Sequence, residues 1–135
     1  MKATLHTDGG ARGNPGPAGI GYVLAVKNKP AVEGSEYIGE ATNNRAEYVA
    51  LITGLRRALE EGVEEIACYL DSELLVEQLN GRYKVKNAGL KLLVAEALDL
   101  SGRFRVVSFA HVPREKNKRA DKLVNMALNK NAPLK

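Results

Sequence analysis

The chain has little of what disulfide scaffolds and membrane spans are built from. Its 135 residues include one cysteine, no tryptophan and no run of about 18 apolar residues. The single Cys68 lies in an apolar run, which rules out a disulfide framework and a thiolate metal site, so we expect it to be a small core residue. No signal-peptide pattern opens the sequence. We therefore expect a cytoplasmic protein with no membrane partner.

Positive charge is in slight excess and is grouped along the chain. Twenty lysines and arginines face sixteen acidic residues, and the net charge of +4 mildly favours a polyanionic partner such as nucleic acid. The densest basic stretches run over 82–86 and 114–119. Since there is no linker, repeat or low-complexity segment, residues 1–135 are predicted to form a single domain, and we expect a monomer.

The spacing of apolar residues predicts an α/β protein. Three strands joined by short turns come first, over 2–8, 19–26 and 32–41, and indicate an antiparallel meander. The later predicted elements are a helix of about 18 residues from Asn43, a strand over 66–70, a short helix over 72–79, a basic loop over 80–87, a helix over 90–100, a strand over 104–112, a helix over 115–129 and a frayed tail over 131–135. A meander followed by helix–strand alternation predicts a mixed sheet with helices on its faces.

Four acidic residues stand out by their positions. Asp8 and Asp71 each end a predicted strand, and neighbouring parallel strands would bring their carboxylates side by side. Glu47 belongs to a helical row of mostly small residues that should pack flat on the sheet, and Asp121 lies at the edge of an apolar helical stripe. A carboxylate on a packing face is costly unless it is paired or holds a cation.

If these carboxylates converge, they form a metal site. They would repel one another and raise each other's pKa, and hard divalent cations with oxygen ligands remove that conflict. Acidic residues from separate elements are what a two-Mg²⁺ phosphoryl-transfer site requires. The alternative at this point is that the four residues are ordinary helix caps and salt-bridge partners.

Four sequence blocks enclose these acids. They are Asp8-Gly9-Gly10 with Gly13 to Pro17, Thr42 to Glu47, Asp71-Ser72, and Asn117 to Asp121. In order and approximate spacing, and over essentially the whole chain, they resemble the type 1 ribonuclease H family. The resemblance implies a five-stranded mixed sheet, with three antiparallel strands first and helices on both faces.

The same resemblance implies an activity. Asp8, Glu47, Asp71 and Asp121 would be the ligands of two Mg²⁺ ions, or of Mn²⁺ in their place. The protein would be a metal-dependent endonuclease that hydrolyses the RNA strand of RNA–DNA hybrids to 3′-hydroxyl and 5′-phosphate ends.

The matched blocks also contain candidate substrate contacts. Asn14, Asn43 and Asn44 carry amide groups suited to sugar hydroxyls and minor-groove base edges, and the 2′-hydroxyl is what distinguishes RNA from DNA. Thr42 and Arg45 can hold a phosphate of the DNA strand near the N-terminus of the helix. Alternatively, Thr42 or Asn43 is simply the helix cap.

The sequence departs from the family pattern in two places. Glu73 stands where many members carry glutamine, and its negative charge would not favour a phosphate contact. The segment between Asp71 and Asn87 is too short for the long basic helical protrusion that some members carry. The loop over 82–86 must then supply the remaining basic contacts, and we expect a weaker, more salt-sensitive grip on the hybrid.

The auxiliary catalytic residue has two candidates. Many members use a histidine ten residues before the fourth acid, and His111 has that spacing from Asp121. The alternation from Phe104 to Val112 carries the predicted strand past His111, which would make it a half-buried strand residue. Arg114 is then the first side chain able to reach over the metals, where it can hold the scissile or product phosphate. We therefore expect Arg114 to matter more than His111.

Two other classes of function have to be weighed. A nucleic-acid-binding module could keep the fold without catalysis, but it would gain nothing from placing Glu47 on a packing face. The nuclease core of an integrase or transposase shares the fold in outline, but this sequence has no zinc-finger or DNA-binding appendage and carries the glycine turn and paired asparagines. The metal-dependent endonuclease is therefore the leading hypothesis.

Overall fold

A computed structural model describes residues 1–131. The strands are β1 (Lys2–Ala11), β2 (Gly16–Val26), β3 (Val32–Ala41), β4 (Glu65–Leu70) and β5 (Val106–His111), and the helices are α1 (Asn43–Glu60), α2 (Glu73–Leu79), α3 (Ala88–Ser101) and α4 (Lys118–Lys130). A 3₁₀ turn, Arg114–Lys116, precedes α4. The predicted order of strands and helices is confirmed. The predicted frayed tail over 131–135 lies, apart from Asn131, outside the described residues.

The strands form one mixed sheet in the order β3-β2-β1-β4-β5. β2 pairs antiparallel with both β1 and β3, whereas β4 runs parallel to both β1 and β5. β1 is therefore the central strand, at which the antiparallel meander meets the parallel half of the sheet. The carboxyl ends of β1, β4 and β5 meet at one edge, which is where ligands gather in α/β sheets.

Helices cover both faces of the sheet. Consecutive strand residues point to opposite faces, and Gly9 faces α1 whereas Gly10 faces Val124 of α4. The side chains of Leu5 on β1 and of Leu51 and Leu55 on α1 are fully buried. The main core thus lies between the sheet and the layer formed by α1 and α3.

Two glycines let the helices approach the sheet closely. A Cβ added to Gly9 would lie 2.3 Å from the backbone of Ala46 on α1, and a Cβ added to Gly21 would lie 2.4 Å from the backbone oxygen of Ala120 on α4. Real Cβ atoms do not come this close to backbone atoms, so a larger residue at either position would push its helix away. The positions of α1 and α4 are therefore set by backbone contacts.

Polar side chains determine where three of the helices begin. The N-cap residues Thr42, Ser72 and Asn87 each accept a hydrogen bond from the backbone N–H three residues further on. Of the two caps considered for α1, Thr42 is therefore the one used. Helix α4 differs, because the side chain of its N-cap residue, Asn117, makes no capping bond.

The structure corrects the predicted bounds of three strands. β2 begins at Gly16 rather than at 19. β1 does not end at Asp8, because its antiparallel pairing with β2 continues to Ala11 opposite Ala18. β5 covers 106–111 rather than 104–112, since Phe104 is buried in the turn that follows α3. The turn rich in glycine therefore starts beyond Ala11, and Asp8 lies within a strand.

The last helix also begins later than predicted. The segment that was expected to open a helix at 115 forms the 3₁₀ turn, and α4 starts only at Lys118. Between them Asn117 has a φ of −125°, outside the helical range, which separates the two elements.

The structure also shows where the single cysteine lies and whether any helix could span a membrane. Cys68 is buried within the main core, as predicted. None of the helices in residues 1–131 is long and apolar enough to span a membrane.

We expect Gly9→Ala to destabilise the protein by about 1–3 kcal/mol, because the added methyl group overlaps the backbone of Ala46 and forces α1 outward. Gly10→Ala is the matched control, since its Cβ would make only ordinary contacts, at 3.8 Å or more. Urea unfolding of both variants measures the difference in the free energy of unfolding. Equal stabilities would contradict the close packing of α1 on β1.

Candidate active site

Two of the predicted acids lie side by side at the edge where β1 and β4 meet. The parallel ladder between these strands ends with Thr7 opposite Leu70, so Asp8 and Asp71 are the next residues on the two neighbouring chains. The prediction that parallel strands bring these carboxylates together is confirmed, although Asp8 does not end its strand.

The other two acids are carried by the helices. Glu47 follows the alanine of α1 that contacts Gly9, and Asp121 follows the alanine of α4 that contacts Gly21. Gly21 is also the residue that pairs with Asp8 across the sheet. Each helix therefore delivers its acid next to the point at which its backbone touches the sheet.

All four carboxylates line one open cavity of about 280 Å³. Arg12 and Arg114 line the same cavity. Arg12 is held in place by α4, because its Nη2 donates a hydrogen bond to Oδ1 of Asn129 at 2.5 Å. Carboxylates flanked by arginines can accept a phosphate diester that is accompanied by cations.

The surroundings of Asp8 strongly disfavour the ionised form of its carboxyl group. Burial, the largest cause, together with the negative charges of Asp71, Asp121 and Glu47 raises the pKa of Asp8 to about 8. A hydrogen bond between the protonated carboxyl of Asp8 and that of Asp121 acts in the same direction. Asp8 therefore holds a proton at neutral pH unless a cation takes its place.

The ionised form of Glu47 is also disfavoured. Burial, the largest cause, together with the charge of Asp71 raises the pKa of Glu47 to about 7, against the opposing effects of the Ser72 hydroxyl and of Arg114. Within residues 1–131, the buried Oε2 of Glu47 has no hydrogen-bond partner. Such an oxygen is costly to bury, and a bound cation would satisfy it.

The donor set fits a hard divalent cation. Mg²⁺ prefers oxygen ligands and is commonly held by one or two carboxylates together with waters and substrate phosphates. In the part of the chain that the structure describes, no three acidic, histidine or cysteine side chains are arranged to hold an ion by themselves. The arrangement therefore fits ions that take part of their coordination from water or from a bound phosphate.

Asn117 makes a contact to the acids that sequence reasoning did not assign. It is only 2% exposed, and its Nδ2 donates to the backbone oxygen of Thr7 at 2.9 Å and to Oδ2 of Asp71 at 3.1 Å. These partners are 110 and 46 residues away in the chain. No local pattern could therefore have indicated the contact, although the residue belongs to the fourth matched block.

Most of the predicted substrate residues line a second cavity, of about 510 Å³. Its lining consists of Asn14, Thr42, Asn44 and Arg45, all predicted, together with Asn87 and Leu90. Sequence reasoning missed Asn87, whose one local signal is its place at the start of a helical pattern. The structure brings it to this cavity because it caps α3.

Asn43, the fifth predicted substrate residue, lies at the acidic cavity instead. Its Oδ1 accepts a hydrogen bond from the backbone N–H of Ala11 at 2.8 Å, and its own backbone N–H donates to Oδ1 of Asn14 at 3.0 Å. These two bonds tie the turn after β1 to the start of α1, and thereby join the two cavities into one surface.

The structure separates the two candidates for the auxiliary residue. Arg114 lines the acidic cavity and its charge acts on Glu47. His111 is not among the residues lining that cavity, and it is the last residue of β5, paired with Leu70. The expectation that His111 is half-buried is wrong: β5 is an edge strand that ends there, and the side chain is exposed.

The fold and the sequence place the chain among known proteins. A family model described as Reverse transcriptase-like matches residues 6–127. The crystal structure of RNase H1 from the archaeon Halobacterium salinarum superposes with a TM-score of 0.93 at 41% identity, covering 96% of this chain and 99% of that one. The chain belongs to the ribonuclease H family. The resemblance found in the four sequence blocks is thus confirmed.

Two further relatives are similar to this chain. The structure of LC11-RNase H1 was determined in complex with an RNA/DNA hybrid; it is 46% identical, has a TM-score of 0.91, and the match covers 97% of this chain and 99% of that one. Bifunctional protein Rv2228c of Mycobacterium tuberculosis is 46% identical over 131 residues, which are 96% of this chain but 36% of that protein. The chain therefore spans about a third of the length of this relative.

We expect the metal-free protein to lose stability progressively as the pH rises from about 4, until the loss is complete above the folded pKa values of about 7 and about 8. The pKa values of Asp8 and Glu47 are raised in the fold to about 8 and about 7, so between about pH 4 and pH 8 the folded state binds more protons than the unfolded state. The free energy of unfolding then falls by at most about 1.4 kcal/mol per pH unit for each group. Thermal unfolding in a chelator from pH 5 to pH 9 measures this decline.

Asp8→Asn tests the assignment of this decline. The amide cannot ionise, so the variant should lose part of the pH dependence and melt at a higher temperature than the unchanged protein at pH 8. Glu60→Gln, an exposed acid at the end of α1, is the control and should keep the full dependence. If the melting temperatures of Asp8→Asn and of the unchanged protein depend on pH in the same way, Asp8 is not the source of the decline.

Proposed function

We propose that this chain is an endonuclease that hydrolyses the RNA strand of RNA–DNA hybrids, with two Mg²⁺ ions or with Mn²⁺ in their place, to 3′-hydroxyl and 5′-phosphate ends. The observation that carries the proposal is the convergence of four carboxylates from four separate elements on one open cavity. Among the four, Asp8 and Glu47 have raised pKa values, and these favour a bound cation in place of protons.

The four acids are proposed as the metal ligands. Asp8 and Asp71 at the sheet edge, with Glu47 on α1 and Asp121 on α4, are the side chains that would hold the two ions. When bound, two such ions supply an activated water and stabilise the leaving oxygen of an in-line displacement. Glu47 brings the unpartnered Oε2, and the Ser72 hydroxyl and Arg114 favour its ionised form. The side chains therefore hold the phosphate and the ions in place, and no protein nucleophile is needed.

The proposed substrate contacts run along the second cavity. Thr42 and Arg45 lie at the N-terminus of α1, where backbone N–H groups favour a phosphate. Asn14 and Asn44 line the same surface, with amide groups suited to a minor groove and a 2′-hydroxyl. Support comes from LC11-RNase H1, whose structure contains an RNA/DNA hybrid. We propose that this chain binds the same class of nucleic acid, as a monomer and in the cytoplasm.

Arg114 is proposed to hold the scissile or product phosphate. It is exposed at the rim of the acidic cavity, and a guanidinium group can form a bidentate pair with a phosphate. An arginine does not exchange its proton near neutral pH, so its contribution would be charge and orientation. His111, which lies outside the cavity lining, remains the weaker candidate.

Replacing Asp8, Glu47 or Asp71 by the neutral amide should lower hybrid cleavage in Mg²⁺ by about a thousandfold or more, because several kcal/mol of charge stabilisation are lost. Cleavage of labelled hybrid, RNA duplex and DNA duplex, with and without Mg²⁺, measures the activity and its selectivity. Asp121→Asn should keep some activity, above all in Mn²⁺, if this helix residue mainly positions one ion.

The control for these neutral variants is Glu73→Gln. Glu73 is exposed on α2 and lies beside the acids in sequence, so the variant removes a charge without touching the cavity lining. It should cleave at least as well as the unchanged protein. Hybrid binding without cleavage by the unchanged protein in Mg²⁺ or Mn²⁺ would support the binding-module alternative instead.

Arg114→Ala should cost more activity than His111→Ala, because only Arg114 lines the cavity. The pH–rate profile of the unchanged protein should lack a histidine-like titration between about pH 6 and pH 7. Steady-state cleavage of hybrid from pH 5.5 to 9 measures both. A larger loss in His111→Ala, with such a titration removed, would return the auxiliary role to the histidine.

A further inference from the structure

The side chain of Asn117 does not do what its position predicts. It occupies the N-cap of α4, and asparagine is among the best N-cap residues because its side chain can accept a backbone hydrogen bond. The caps of α1, α2 and α3 all make that bond. Asn117 gives it up, since its side chain points into the protein toward β1 and Asp71.

The amide group of Asn117 joins two elements of the acidic site. Its Nδ2 donates at 2.9 Å to the backbone oxygen of Thr7, the residue before Asp8, and at 3.1 Å to Oδ2 of Asp71. Both partners are acceptors, so the amide must present its NH₂ group to them and cannot be turned round. Its Oδ1 is consequently buried with no hydrogen-bond partner among residues 1–131.

This arrangement carries two stability costs, a missing cap and a buried unpartnered oxygen. Departures of this kind from local rules concentrate at functional sites, where another requirement outweighs stability. Here that requirement is the placement of the functional residues on either side of Asn117. Arg114 is three residues before it and Asp121 four residues after it, so anchoring Asn117 to β1 also sets the start of α4.

We propose that Asn117 is a positioning residue for the acidic site. It fixes Oδ2 of Asp71 against the end of β1, which leaves Oδ1 of Asp71 for a divalent cation, and it holds Arg114 and Asp121 in register with Asp8. Asn117 itself touches neither cation nor substrate. The role rests on the proposed function, since it presumes that Asp71 binds a cation.

Asn117→Ser separates this role from a capping role. Serine is a good N-cap, so the variant can cap α4, but it is too short to bridge Thr7 and Asp71. Asn131→Ser is the matched control at the other end of α4, where Nδ2 of Asn131 donates to the backbone oxygen of Ala127 at 2.9 Å. Both variants are made in the whole chain, and circular dichroism confirms that they are folded.

The first measurement is Mn²⁺ binding by titration calorimetry, without nucleic acid. Loss of a partner that orients a metal ligand typically weakens metal affinity or activity by about 10- to 100-fold. We expect a weakening in that range for Asn117→Ser, and an affinity within about twofold of the unchanged chain for Asn131→Ser. An Mn²⁺ affinity in Asn117→Ser equal to that of the unchanged chain overturns the proposal.

The second measurement is hybrid cleavage at saturating metal. Replacing a positioning residue should lower kcat by about 10-fold or more and change KM for the hybrid less, because the proposed substrate contacts of the second cavity do not involve Asn117. If Asn117→Ser does not fold, Asn117→Asp keeps the size and the capping ability but replaces the NH₂ donor by an oxygen. A wild-type kcat in Asn117→Asp would show that the NH₂ donor is not needed, and would overturn the proposal.

The two measurements distinguish the failure of this proposal from the failure of the proposed function. If the unchanged chain binds Mn²⁺ but cleaves no hybrid, the proposed nuclease activity fails, while the calorimetric comparison still tests Asn117. If cleavage is normal in the unchanged chain and in Asn117→Ser alike, the nuclease stands and the positioning role fails.

Discussion

The contact between backbone atoms at Gly9 and Ala46 is the constraint on which the site depends. Because Gly9 has no side chain, α1 lies directly on the central strand, and the next residue of the helix is Glu47. Helix α4 repeats the arrangement on the opposite face, where an alanine contacts Gly21 and is followed by Asp121. Asp8 precedes the first glycine and pairs with the second, so two backbone contacts deliver the helical acids to the same strand residue.

These two backbone contacts bring like charges together, and neighbouring groups offset only part of the resulting electrostatic repulsion. Arg114 and Ser72 favour the ionised form of Glu47, and Asn117 donates to Asp71. The missing cap at Asn117 alone typically costs about 1 kcal/mol. A site that keeps raised pKa values and unpartnered buried oxygens has been shaped by something other than stability. A cation that accepts carboxylate oxygens would relieve all of these conflicts at once.

Much of this could be predicted from the sequence, for identifiable reasons. The acids were found because each broke a local expectation: Asp71 follows an apolar strand, and Glu47 lies on a row of small residues. Element order followed from periodicity, and the family from four blocks in register. Strand ends were less accurate, since β1 is lengthened by its antiparallel partner and β5 is an edge strand, which left His111 exposed rather than half-buried.

Contacts between distant segments were what the sequence could not supply. Nothing near Asn117 indicates a bond to Thr7, 110 residues away, and nothing near Asn87 indicates that it lines the same cavity as Arg45. Such contacts depend on how helices and strands pack, and packing is decided by the whole chain.

The packing of α1 also couples the proposed substrate contacts to the proposed metal site. Its first turn carries Thr42, Asn44 and Arg45 toward the second cavity, and Glu47, about one turn further on, lies in the first. The turn after β1 is bonded to the same helix start through Asn43. A shift of α1 would therefore move proposed substrate contacts and a proposed metal ligand together, as one rigid unit. Variation within this helix start should then change affinity and turnover jointly, whereas variation at Asn117, on the other face of the sheet, should act on the acids and on Arg114 and leave the second cavity unchanged.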